Sequence, residues 1–111
     1  MSKRFIDTEL WCRDWYMEMP PAYKCAFMYL LTQCDNVGVW KPNFKLANYQ
    51  IGEEIDWEDF RRSVNSNVEV LPNGKWWLVD FCDFQYGTLH EECKPHKSYL
   101  TLLRKHGLEE R

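Results

Sequence analysis

The chain is short of several things, and each shortage removes a class of function. No apolar run approaches the ~20 residues that a membrane span needs. The opening "MSKRFIDTEL" contains no apolar h-region, so no secretory signal is expected. Glycine is scarce, at 5 in 111 residues, and no glycine-rich phosphate loop is present. Positive charge is not in excess either. Against 17 Asp and Glu stand 14 Lys and Arg, for a formal net charge of -3. A strongly basic nucleic-acid domain is therefore excluded, but DNA binding is not, because affinity depends on where the cations sit.

What the chain does have is apolar and aromatic. Hydrophobic residues make up 45% and aromatic residues 16%, enough to fill the core of one domain spanning residues 1–111. Cysteine is odd in number, at 5, and irregularly spaced. Without a secretion signal, reduced thiols in a cytoplasmic protein are expected.

Periodicity orders the rest. Residues 1–20 read as an aromatic, irregular segment. Pro20 and Pro21 then open an amphipathic helix, with Tyr23, Ala26, Phe27, Leu30, Leu31 and Cys34 on one face and Asn36 and Gly38 as its stop. "VGVWK" is a short strand. Asn43 caps a second helix, "FKLANYQI", which ends at Gly52. Asp56 caps a third, "WEDFRRSVNS", with Trp57, Phe60 and Val64 inward.

"NVEVLPNGKWWLVDF" reads as a hairpin in which Asn73 and Gly74 both take positive φ in a type I′ turn. Residues 96–106 form a C-terminal helix. Two helices joined by a tight turn, a strand that needs a partner and a hairpin together predict an α+β fold: a winged helix-turn-helix with a small three-stranded antiparallel sheet and an extra C-terminal helix.

In such a fold the third helix and the hairpin tip are the candidate contacts. Arg62 points away from the apolar face, Arg61 lies at its edge and Asn65 on its flank. Arg and Asn can read base edges, but Glu58 and Asp59 also fit a plain solvated face. Asn73 and Lys75 occupy the hairpin tip, and Lys41 and Lys45 are flanking phosphate contacts. Trp76 and Trp77 point to opposite faces of their strand. One is core, and the other either covers the sheet or is exposed as a partner contact.

His90, Cys93 and His96 are spaced three apart. With Cys82 as a conceivable fourth ligand the set is incomplete, and no structural zinc is expected. The acids Glu53, Glu54, Asp56, Glu58 and Asp59 follow from helix starts. No nucleophile–base pair or cofactor motif is visible, so neither catalysis nor a cofactor is expected.

The stretches "KRFIDTELWCRDWY", "CDNVGVW", "NYQIG", "NGKWWLVDFCDFQYG" and "HKSYLTLLRKHGL" resemble a winged-helix domain of phage and prophage replication proteins, similar to the N-terminal module of DnaD-like replisome organisers. The resemblance covers nearly the whole chain. It implies DNA binding during replication initiation, double- or single-stranded, with a helicase, a helicase loader or other replication proteins as partners. The alternative is a protein–protein adaptor of the same fold that does not bind DNA.

Overall fold

The computed structural model describes residues 3–87 and 94–108. Among them the chain is α+β, with helices packed on both faces of a three-stranded antiparallel sheet. The helices are α1 (Asp14–Met17), α2 (Pro21–Gln33), α3 (Phe44–Ile51), α4 (Trp57–Val64), α5 (Phe81–Tyr86) and α6 (Lys94–His106). The strands are β1 (Val39–Trp40), β2 (Val68–Val70) and β3 (Trp76–Leu78), in the order β1-β3-β2. The short strand expected at residues 39–41 does pair with the hairpin, Val39 opposite Trp77 and Trp40 opposite Trp76, though Lys41 lies outside it.

Helix ends follow the expected chemistry. The Asn43 side chain accepts from the Leu46 amide at 3.1 Å, and Asp56 accepts from the Asp59 amide at 3.1 Å. Asn48 ties α3 to α4. Its Oδ1 accepts from the Ile55 amide at 3.2 Å and from the Trp57 indole at 2.9 Å, which fixes the connection between the two helices.

Four local expectations are corrected. Residues 1–20 are less irregular than their composition suggests. A 3-10 turn at Leu10–Cys12 and the short α1 bring Tyr16 into full burial, edge-on to Trp11, Trp15 and Phe27.

The stop of α2 comes earlier than Asn36. The helix ends at Gln33, and Asp35 Oδ1 accepts from the amides of both Val37 and Val39 at 3.0 Å. Gly38 serves a different purpose from a helix stop. Its φ is +89°, and a Cβ there would lie 2.5 Å from Cβ of Phe81.

The hairpin turn is not type I′. Gly74 has φ +86°, but Asn73 is not in the positive-φ region. Pro72 holds φ near about −65°, which suits the first central position of a type I turn. The loop is therefore the three residues 72–74, closed by Gly74 N–H to Leu71 O at 2.9 Å and Leu71 N–H to Lys75 O at 2.7 Å.

The last strand also ends sooner, at Leu78, and α5 begins at Phe81. Continued alternation would place Asp83 on the face of Trp77. Helical spacing instead buries Phe81 and Gln85 and leaves Asp83 exposed.

The period of two in β3 divides the core. Trp76 faces Trp40, Trp57 and Phe60, in a cluster with Ala26, Leu30 and Ala47. Trp77 faces the other way, among Val37, Val39 and Leu71, where Leu103 and Leu108 cover it. A buried tryptophan removes roughly 200 Å² from water, about 5 kcal/mol gross at ~25 cal/mol per Å². Asp35 and His106 lock the covering helix, Oδ2 to Nε2 at 2.8 Å.

Asn65 closes α4 at φ 55°, ψ -132°, a region that glycine enters freely and other residues do not. Its side chain is exposed. Asn65→Gly is expected to raise stability or leave it unchanged, and Asn65→Val to lower it by about 1–3 kcal/mol in urea unfolding. Equal stability of the two variants would show that this backbone is not strained.

Candidate functional site

Between α4 and the hairpin lies an open groove of about 610 Å³. Lys41, Pro42 and Phe44 enter it from the β1–α3 junction, Glu58 and Arg61 from α4, and Val70, Asn73, Gly74, Lys75 and Trp76 from the hairpin. Four of the seven candidate DNA contacts thus converge: Lys41, Arg61, Asn73 and Lys75.

The electrostatics of this groove differ from those of the chain. Its lining carries three cations and one carboxylate, Glu58, which pairs with Arg61 at 3.1 Å. Within the lining, cations therefore exceed carboxylates by two, on a molecule of net charge -3. That pair is exposed on both sides, so it is worth little and opens readily. Asn73 helps to build the tip itself, because its Oδ1 accepts from the Lys75 amide at 3.0 Å.

Three candidates lie elsewhere. Arg62 is exposed, but it turns toward Asp59 at 3.5 Å, outside the groove. Asp59 in turn accepts from the Tyr23 hydroxyl at 2.8 Å rather than completing a capping box. Burial first, and Asp59 second, push that hydroxyl up to about 12. Lys45 lines a separate hollow with Asn48, Tyr49, Glu53 and Glu54. Asn65 ends α4 and serves its backbone turn.

Of the two alternatives for the second tryptophan, the structure takes the covered one and corrects the exposed partner contact. Trp76 and Trp77 are each only 5% exposed. Trp76 forms part of the groove lining but is packed by Trp40, Phe44, Trp57 and Phe60. The Trp77 indole donates to Val37 O at 3.3 Å beneath α6. Local alternation could not reveal that a helix from far along the chain covers the second face. Among the described residues the exposed aromatics are instead Phe5, Trp11, Phe44, Tyr49 and Phe84. Sequence reasoning also missed Phe44 and Val70 in the groove lining, although alternation in residues 68–70 already turns Val70 to the same side as Val68.

His90 and Cys93 lie outside the described residues. Among the described residues no group of three or more metal-ligating side chains forms. His96 sits beside Tyr86 and Tyr99, and the Cys82 thiol points at Val37 O. No helix of the described residues is long and apolar enough to cross a membrane.

Among the described cysteines, Cys12 and Cys25 are exposed and Cys34 is buried. Burial pushes the Cys34 thiol from 9.0 up to about 11, and burial followed by Asp83 does the same to Cys82. A raised thiol pKa means that the unfolded chain loses its proton first. The contribution of these two buried thiols to stability is therefore intact below about pH 9 and is lost as pH rises through 11. Peptide mapping after brief thiol alkylation at pH 8 should find Cys12 and Cys25 modified and Cys34 and Cys82 protected. Equal modification of all four would contradict this burial.

Comparison of the chain with protein-family models, with curated proteins and with solved structures gives no match.

Proposed function

We propose that the chain is a DNA-binding winged-helix module of phage-type replication initiation, without catalytic activity of its own. In this reading α3 and α4 are the helix-turn-helix and the β2–β3 hairpin is the wing. The observation that carries it is the groove between them, where Lys41, Arg61 and Lys75 outnumber Glu58 on an otherwise acidic chain. The resemblance of "NYQIG" and "NGKWWLVDFCDFQYG" to phage replication proteins supplies the biological setting, with a helicase loader or another replication protein as a further partner.

The contacts are to phosphate. Lysine and arginine neutralise backbone charge whatever the sequence, and Glu58 beside Arg61 would compete with a guanine edge for the guanidinium. The repulsion of the remaining acids falls off over a Debye length of about 8 Å at physiological salt, so the local groove decides the outcome.

A titration of the whole chain against unrelated duplexes and single strands tests this. Binding at about 50 mM salt that weakens steeply by about 200 mM, alike for different sequences, is expected. The exposed Phe5, Trp11 and Phe84 favour a second reading, an adaptor that binds protein alone. The absence of any DNA binding at the lower salt would select it.

A further inference from the structure

A second cavity, sharing no lining residue with the hairpin groove, opens between the N-terminal segment, α2 and α5. It is about 190 Å³, and its walls are Leu10, Trp15, Phe27, Leu31 and Phe81. An apolar cavity of about 150 Å³ is known to hold one benzene ring, so this one takes a single aromatic or branched aliphatic side chain.

The mouth is apolar as well. Phe5 is 70% exposed, Ile6 48% and Phe84 45%, and all three line it. Apolar surface therefore continues past the volume of one ring, which a small molecule would leave uncovered and a polypeptide would bury.

The mouth is also built. Gln85 is buried, and its side chain reads the Phe5 backbone twice: Phe5 N–H donates to Oε1 and Nε2 donates to Phe5 O, both at 2.8 Å. Arg4 fastens the same strap by donating to Cys34 O at 3.2 Å. Three charged residues line the cavity. Arg13 is taken up by Asp7 at 2.6 Å, and the guanidinium holds the Asp7 carboxyl below its usual range. Asp80 is exposed and makes no ion pair among the described residues, so the mouth keeps one negative charge.

We propose that this cavity docks a segment of a partner protein that inserts one apolar anchor, best an aromatic, and sets a lysine or arginine beside it against Asp80. The anchor supplies the affinity by filling the hollow, and the basic neighbour supplies selectivity. The inference does not depend on DNA binding, and its failure would leave that proposal untouched.

The test uses the full chain and two dipeptide probes, N-acetyl-Phe-Lys-amide and N-acetyl-Phe-Glu-amide, followed by amide chemical shifts. The lysine probe should give saturable shifts at Leu10, Leu78 and Gln85 in the millimolar range. The glutamate probe should bind about two- to fivefold more weakly, and Asp80→Asn should abolish that preference while keeping the phenylalanine-dependent shifts. Three results would each overturn the proposal. The first is no saturable shift at these amides by about 20 mM probe. The second is equal affinity of the two probes for the parent chain. The third is a set of dilution-dependent shifts at the same amides without probe, which would make the occupant a second copy of the chain.

Discussion

Trp76→Ala is expected to cost about 3–5 kcal/mol in reversible unfolding, a large part of the ~5–15 kcal/mol that holds a domain of this size together. The indole is 5% exposed and touches rings from three elements: Trp40 on β1, Phe44 on α3, and Trp57 and Phe60 on α4. None of these can collapse into the space without leaving the sheet or the helix pair, so the cavity remains and its penalty adds to the lost transfer energy. Val70, opposite Trp76 across the strands but 42% exposed, is the control. Val70→Ala should change stability by no more than about 0.5 kcal/mol. Comparable losses in the two variants would mean that the aromatic cluster is not the centre of the core.

How far the sequence disclosed this arrangement depends on the range of the interaction involved. Asn43, Gly52 and Asp56 act on their own helix ends, and both ends of α3 and the start of α4 lie where those residues place them, whereas α4 ends at Val64, two residues before the expected Ser66. Trp57, Phe60 and Val64 repeat at helical spacing and are all buried. Pro72 acts locally too, but its fixed φ outweighs the Asn-Gly preference and moves the turn by one residue.

What stayed hidden is non-local. Burial of Trp77 depends on Leu103 and Leu108, and the early end of β3 depends on the helical pattern that buries Phe81 and Gln85. Within the site, charge and exposure were legible but direction was not. Arg61 and Arg62 are adjacent, yet one lines the groove and the other pairs with Asp59 outside it. A rotation of 100° about the helix axis separates them, and only the position of the hairpin decides which one matters.

That distinction sets the second large expected effect. If the chain binds DNA as proposed, Arg61→Ala combined with Lys75→Ala should remove two phosphate contacts. Each contact contributes about 0.9 to the slope of log affinity against log salt, so the slope should flatten by about 1.8. Between about 50 and 200 mM salt the parent should then lose roughly tenfold more affinity than the double variant. Both side chains lie at the surface, and the Arg61 pair with Glu58 is exposed, so unfolding should shift by no more than about 0.5 kcal/mol. Arg62→Ala, outside the groove, should leave the slope unchanged.

The most direct measurement is the salt dependence of duplex binding by fluorescence anisotropy, made in parallel on the parent, Arg61→Ala with Lys75→Ala, and Arg62→Ala. The account predicts a steep slope for the parent, a slope shallower by about 1.8 for the double variant, and the parental slope for Arg62→Ala. A folded double variant that binds with the parental slope, or a parent that binds no DNA at about 50 mM salt, would contradict it.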